Sequence, residues 1–122
     1  MALKIKIINL EEDRPTVEQM RVHLDRVLVA ARYDGTAILK LIHGYGSSGV
    51  GGKLRVAVRA SLTRYKKSAM IQEFITGEEF RISNEATWAL LKAVPEMKQD
   101  RDLGRENKGI TVVVLESAPK KH

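Results

Sequence analysis

The feature that most constrains the fold is an apolar strand that runs into a glycine loop and then into a basic helix. Residues 38–42, Ile-Leu-Lys-Leu-Ile, are nearly all apolar, as in a strand covered on both faces. Five glycines follow within nine residues, Gly44, Gly46, Gly49, Gly51 and Gly52. The helix is predicted to begin at about Gly52 or Lys53. Glycine backbone approaches a ligand closely, and the amides that open a helix favour an anion, so the pattern predicts a phosphate-binding unit.

A strand and a helix come before this unit. Apolar residues alternate with lysines over 3–7, which predicts a strand near the edge of the sheet with one face in water. Thr16 and Gln19 have the spacing of a capping box, and apolar residues at helical spacing extend the helix to about Ala31 or Arg32. Strand, helix and strand in this order favour a βαβ unit with parallel strands.

The βαβ unit places an acidic loop and a histidine at one edge of the sheet. Parallel strands end at the same edge, which is where open α/β sheets bind their ligands. The acidic loop contains Glu11, Glu12 and Asp13, and His43 ends the second strand. His43 is predicted to contact a phosphate or to act as a general acid or base. The acidic residues are candidates for a magnesium ion, or else they form a solvated loop beside the first helix.

The remaining strands complete the predicted sheet. A third strand is predicted over 69–75 and turns at 76–78, while Phe80 and Ile82 belong either to it or to a hairpin partner. A final strand is predicted over 110–115. The fold class is therefore α/β, with a βαβαββ mixed sheet and helices packed on it.

A short helix is predicted between the last two strands. Asn84 has the position of its cap, and the helix runs over 85–93 until Pro95 closes it. Trp88 and Leu91 are predicted to form its core face.

The short helix belongs to a predicted insertion at about 84–108. Its second part, 96–108, is charged and unpatterned, which predicts a mobile loop. We expect one domain over 1–118, with a basic tail over 119–122.

The composition narrows the classes of function. The chain has no cysteine, which excludes disulfides, zinc–thiolate sites and a catalytic thiol. Lysine and arginine outnumber aspartate and glutamate by 21 to 15, and this net charge of +6 favours nucleic acid or another polyanion as partner. No apolar run approaches the roughly 20 residues of a membrane span, so we expect a cytoplasmic protein with no membrane partner. A protein partner and the oligomeric state stay open.

The strand, loop and helix together resemble the central signature of the small MutS-related, or Smr, domain. The matching residues are His43-Gly-Tyr-Gly46 after an apolar strand, a glycine-rich stretch, and Leu-Arg-x-Ala-Val over 54–58. The resemblance implies a sheet like that of the carboxyl-terminal domain of translation initiation factor three. It also implies a nucleic-acid-binding domain of a family in which some members are endonucleases. The family's first-strand motif, Asp-Leu-His-Gly, is Asn-Leu-Glu-Glu over 9–12 here, so Glu11 stands in place of a histidine.

Three functions are consistent with these patterns. The first is a module that binds DNA or RNA without catalysis and without a cofactor. The second is an endonuclease that uses His43, with Glu11 as a further candidate and Mg²⁺ at the acidic loop, although the lost histidine argues against cleavage. The third is a site for a small phosphorylated ligand. In each case the predicted phosphate-binding residues are Gly44, Tyr45, Gly46, Ser47, Ser48, Gly49, Gly51, Gly52, Lys53, Arg55 and Arg59.

Overall fold

The described part of the chain folds into a four-stranded mixed sheet with helices on both faces. A computed structural model describes residues 3–45 and 50–115, with the side chains of the second helix from residue 52 onward. The strands are β1 (Ile5–Asn9), β2 (Ile38–Ile42), β3 (Glu73–Thr76) and β4 (Ile110–Val114). The helices are α1 (Val17–Tyr33), α2 (Val50–Lys67) and α3 (Glu85–Ala93), followed by a 3₁₀ helix (Pro95–Gln99). The predicted α/β class is confirmed.

The strands lie in the order β1-β2-β4-β3. β1 and β2 are parallel, with Ile5 opposite Ile38, and β4 is antiparallel to both of its neighbours. β1, β2 and β3 therefore point in the same direction and end at one edge, where β4 begins. We call this the carboxyl edge. The predicted parallel βαβ unit and the edge position of β1 are both confirmed.

Each face of the sheet has its own apolar core. Helices α1 and α2 cover one face, in a core that includes Leu24, Leu39, Leu41, Leu54 and Val58. Helix α3 and the 3₁₀ helix cover the other face, in a core that includes Ile38, Ile75, Phe80, Leu90 and Val112. Successive residues of a strand point to opposite faces, so β2 contributes to both cores, as its apolar composition predicts.

The predicted helix caps are present. Gln19 N donates to Thr16 Oγ1 at 3.1 Å and Thr16 N donates to Gln19 Oε1 at 2.9 Å, which completes the capping box of α1. Asn84 accepts from Thr87 N at 2.9 Å and caps α3. Within residues 3–45 and 50–115, no helix is long and apolar enough to cross a membrane.

The second helix begins earlier than predicted and the third strand begins later. α2 starts at Val50, so Gly51 and Gly52 lie in the helix and not in the loop. Glycine is a poor helix former, but packing of the helix on the sheet outweighs this preference. β3 starts at Glu73 because Ala69 adopts a φ of +63° and closes the end of α2. Residues 69–72 therefore do not continue the strand.

Phe80 and Ile82 are not in a strand or a hairpin. They lie in the turns between β3 and α3, where Phe80 is buried in the second core and Ile82 is exposed. The core face of α3 contains Leu91, as predicted, but not Trp88, which is exposed beside Lys92. The pattern of burial at Thr87, Leu90 and Leu91 places the tryptophan on the outer face of the helix.

The segment 96–108, predicted to be a mobile loop, is not irregular throughout. The segment contains the 3₁₀ helix and a series of turns, and it packs against the sheet through Met97. Lys40, in the middle of β2, forms ion pairs with Asp100 at 2.9 Å and Asp102 at 2.5 Å. The charged composition of the segment gives no sign that a lysine some 60 residues away is its partner. The predicted basic tail over 119–122 lies outside the described residues.

Candidate functional site

Glycines allow the strand ends at the carboxyl edge to lie in contact. Gly44 has a φ of +73°, and a Cβ atom there would collide with the Glu11 carboxylate. A Cβ at Gly77 would overlap the carbonyl oxygen of Asn107. Gly109 accepts a hydrogen bond from the Gly44 amide at 3.1 Å. These contacts join the ends of β1, β2 and β3 to the start of β4, and they confirm that the acidic loop reaches the first glycine of the glycine loop.

His43 is completely buried beneath this edge. Its Nδ1 lies 2.7 Å from the carbonyl oxygen of Gly44, and its Nε2 lies 2.9 Å from Thr111 Oγ1. A carbonyl only accepts, so Nδ1 carries the proton and Nε2 accepts from the threonine hydroxyl in the neutral ring. Burial lowers the pKa of His43, which the nearby Arg59 and Arg55 lower further, while its hydrogen bond to Gly44 opposes the shift. The structure thus places a neutral imidazole between the glycine loop and β4.

Two arginines of α2 share one carboxylate at the end of β3. Arg59 Nη2 lies 2.6 Å from Glu78 Oε1, and Arg55 Nη1 lies 3.7 Å from Glu78 Oε2. Among the described residues, the Nε atoms of both arginines are buried without a hydrogen-bond partner. Burial raises the pKa of Glu78, but the hydrogen bond from Arg59, a backbone hydrogen bond and the charges of Arg59 and Arg55 together outweigh it, so the pKa lies below its usual value. We call Arg55, Arg59 and Glu78 the arginine cluster, which carries one surplus positive charge.

The other predicted phosphate-binding residues fall into two groups. Lys53 and Tyr45 are exposed on either side of the glycine loop, and Gly52 is half-buried in the first turns of α2. Four residues of the loop, Gly46, Ser47, Ser48 and Gly49, lie outside the described residues. Their contact with a phosphate stays a prediction.

The acidic residues do not assemble into a cation site. Glu11 lies against Gly44, while Glu12 and Asp13 are exposed and Asp13 has a φ of +63°. Over residues 3–45 and 50–115, no group of three or more histidine, aspartate or glutamate side chains has an arrangement that suits a metal ion. The suggestion of a magnesium site built from these three residues has no geometric support there.

Sequence reasoning missed two parts of the site. Glu78 follows β3 at the carboxyl edge. The argument that placed Glu11 at this edge would also have placed Glu78 there, had the sequence shown that β3 points in the same direction as β2. The second part is an open groove of about 640 Å³ beside Tyr45. Its other lining residues come from one segment: Arg101, Asp102, Arg105, Glu106, Asn107 and Lys108. No local signal predicts this groove, because the segment is positioned by the distant Lys40.

Comparison with known proteins agrees with this architecture. The structure is similar to the crystal structure of the Smr domain of Thermus thermophilus MutS2, with a TM-score of 0.54 and 24% identity over 93% of this chain and 99% of that chain. This likeness concerns the fold. A search of curated proteins found no match. The family model of the Smr domain matches residues 13–116, which include His43-Gly-Tyr-Gly46 and the helix after it. The chain therefore belongs to the Smr domain family.

Proposed function

We propose that this domain binds DNA or RNA at the carboxyl edge by contacting backbone phosphates. The Smr family includes nucleic-acid-binding domains and nucleases. The observation that carries the proposal is the arginine cluster, where two guanidinium groups face a single carboxylate. A surplus positive charge that remains partly exposed favours an anionic ligand, and a nucleic acid supplies many anionic phosphate groups.

The arginine cluster has hydrogen-bond donors to spare. Each guanidinium group has five N–H donors, of which Glu78 occupies only a part. A phosphate is well suited to such planar donors, since it accepts two hydrogen bonds side by side. Lys53 adds an exposed charge two residues before Arg55, on the other flank of the same helix. In this proposal the glycine loop and the first turn of α2, predicted together over 44–52, lie against the sugar–phosphate backbone, and Arg55 and Arg59 hold phosphates.

His43 has a positioning role in this proposal. Its ring has no exposed surface, and both of its nitrogens are engaged by Gly44 and Thr111. It therefore fixes the start of the glycine loop against β4 without touching the polymer. A loop that is fixed in advance binds with a smaller loss of entropy.

Phosphodiester cleavage is a second candidate function, and the position of Glu11 favours it. The Glu11 carboxylate lies at the surface against Gly44. The sequence resemblance aligns Glu11 with the histidine of the family's first motif. A carboxylate there is able to accept the proton of a water molecule that attacks the phosphorus atom, while the bond from phosphorus to one sugar oxygen breaks and solvent protonates that oxygen. Under this candidate function Glu11 is the general base, and His43 acts only through Gly44.

The binding proposal is tested by measuring affinity for labelled single-stranded and duplex DNA and RNA over a range of salt concentrations. In the variant Arg55→Gln/Arg59→Gln, the slope of log K against log salt should fall by about 1.8 for duplex DNA and about 1.4 for single strands, because two phosphate contacts are lost. The matched control is Arg26→Gln/Arg32→Gln, which removes two exposed charges from α1. Equal losses in both variants, or no binding by the wild type, would contradict the proposal.

The same samples, incubated with and without Mg²⁺, test cleavage. If Glu11 is the general base, Glu11→Gln should retain binding and lose cleavage. If the substrate stays intact in all samples, the cleavage candidate is overturned and the domain is a binding module. Thermal stabilisation by mononucleotides or inorganic phosphate, without affinity for any polymer, would instead support the small phosphorylated ligand.

A further inference from the structure

The groove beside Tyr45 has the charge and the openness of a binding site. Arg101, Arg105 and Lys108 are exposed along it. Among the ion pairs that the described residues form, none involves these three side chains. The volume of about 640 Å³ lies within the range of sites that hold small molecules. The groove therefore has room for a nucleotide, and its three cations outnumber the two acids that line it, Asp102 and Glu106.

The wall of the groove is held in place by buried contacts. Asp102 pairs with Lys40 and accepts from Asn107 Nδ2 at 2.9 Å. Asn107 Oδ1 in turn accepts from the amide of Gly109 at 2.8 Å, and Gly104 N donates to the carbonyl of Phe80 at 2.8 Å. Asp102 shares Lys40 with Asp100, so its charge is only partly compensated, and Asp102 and Glu106 together offset at most two of the three cations. A wall fixed in this way presents its basic side chains without a large loss of entropy on binding.

Tyr45 supplies an aromatic ring at the other side of the groove. The residue is 56% exposed, yet its ring is not free on all sides. Its Cδ1 lies only 3.5 Å from where a Cβ at Gly109 would stand, so one edge of the ring rests on the backbone before β4. An aromatic ring that is anchored at one edge and open elsewhere is suited to stacking on a nucleobase.

We infer that this groove binds a single-stranded segment of nucleic acid, with one base stacked on Tyr45 and neighbouring phosphates held by Arg101, Arg105 and Lys108. The inference rests on the proposed function and adds a second contact surface to it. The groove selects single strands because a base within a duplex is already stacked on both faces and cannot stack on the Tyr45 ring. DNA and RNA share this chemistry, so oligonucleotides of both kinds are used in the test.

The stacking contact is tested with Tyr45→Ala and Tyr45→Phe. Affinity for a short single-stranded oligonucleotide should fall about tenfold in Tyr45→Ala, since stacking on one base accounts for a change of that order. Tyr45→Phe keeps the ring and should bind like the wild type, and Tyr45→Ala should weaken binding to the matching duplex much less than binding to the single strand. The control is Tyr33→Ala, which removes an exposed tyrosine at the end of α1.

The phosphate contacts are tested with Arg101→Gln/Arg105→Gln. For single strands the slope of log K against log salt should fall by about 1.4, as expected when two phosphate contacts are lost. Arg26→Gln/Arg32→Gln again serves as the control with the same change of charge. All substituted side chains are exposed, and thermal unfolding confirms that each variant is folded.

The outcomes separate this inference from the proposed function. If the wild type binds nucleic acid but the groove variants match their controls, the groove inference is overturned and binding at the arginine cluster stands. If Tyr45→Ala weakens duplex and single-strand binding equally, the selection for single strands is overturned. If the wild type binds neither polymer, both proposals fail. Loss of single-strand binding in the groove variants alone supports the inference, and the DNA and RNA oligonucleotides then show which polymer is preferred.

Discussion

Two clusters of three charged side chains differ in their exposure to water and in the sign of their surplus charge. The lysine cluster joins Lys40 to Asp100 and Asp102, whose side chains are 6%, 12% and 13% exposed. The arginine cluster joins two cations to one carboxylate, with side chains that are between 24% and 31% exposed. The first cluster has a surplus of negative charge and little contact with water. The second has a surplus of positive charge and remains open.

The comparison indicates which cluster stabilises the fold and which is available to a ligand. Burial lowers the pKa of Lys40, but the hydrogen bonds to Asp102 and Asp100 outweigh it, so the pKa lies above its usual value of 10.5. Asp100 also accepts from the amide of Asp102 at 2.8 Å, and Asn107 donates to Asp102. The donors around the two carboxylates are therefore supplied by the protein itself. In the arginine cluster, by contrast, the donors outnumber the acceptors, and an external anion is able to satisfy them.

The largest expected effect is that of Lys40→Met. The variant leaves two carboxylates without their buried partner, and removal of one member of such a group lowers the free energy of unfolding by about 3–5 kcal/mol. Urea denaturation measures the change. The matched control is Lys66→Met, which removes the exposed Lys66–Glu73 ion pair and should lower the free energy of unfolding by less than about 1 kcal/mol.

The pH dependence of stability sharpens this test. Burial raises the pKa of Asp102, but the hydrogen bonds from Lys40 and Asn107 outweigh it, so the folded pKa lies below the usual 3.8. Asp102 then contributes stability above about pH 4, and this contribution is lost as the pH falls through the folded value. In Lys40→Met that acid-sensitive contribution should shrink. Equal stability of Lys40→Met and Lys66→Met at neutral pH would show that the lysine cluster does not hold the fold.

Glu78→Gln is expected to have a smaller effect, which is a gain in affinity for nucleic acid. The substitution removes the shared carboxylate, so the surplus charge of the arginine cluster rises from one to two. Affinity for nucleic acid should increase about fivefold, as one more partly solvated charge interacts with a phosphate at close range by about 1 kcal/mol. Anisotropy titrations at low and moderate salt measure the change. Stability should change little, because the side chains of the cluster are partly exposed.

The control for Glu78→Gln is Glu73→Gln, at the opposite end of β3. It changes the net charge by the same amount but removes the partner of Lys66, away from the carboxyl edge. If both variants bind more tightly to the same extent, the gain comes from net charge alone. If Glu78→Gln binds more weakly, the carboxylate is needed to orient the two guanidinium groups.

The elements that sequence reasoning placed correctly depend on local patterns. The capping box at Thr16, the cap at Asn84 and the apolar run of β2 are all settled within a few residues, and each is present as predicted. The parallel βαβ unit predicts that β1 and β2 end at the same edge of the sheet, and the contact of Glu11 with Gly44 agrees with this prediction.

The features that sequence reasoning missed depend on distant partners. Lys40 is indistinguishable from an ordinary strand lysine until Asp100 and Asp102 are found beside it. The exposure of Trp88 depends on a rotation of α3 that packing of Leu90 and Leu91 decides. His43 was predicted at the right place, at the end of β2, but its burial follows from contacts with Thr111 and Gly44 that no spacing along the chain reveals.

The last expected effect, on the pH dependence of stability, concerns His43, which adjoins the arginine cluster. Burial, Arg59 and Arg55 hold its folded pKa below 6.5, against the opposing influence of its bond to Gly44 and of Glu78. The unfolded chain therefore binds a proton that the folded chain does not, and stability falls as the pH drops below 6.5. Between about pH 7.5 and pH 5.5 the loss is at most about 1.4 kcal/mol. Urea denaturation at both pH values should show a shallower pH dependence in His43→Gln, whereas an equally steep one would mean that the imidazole is protonated in the fold.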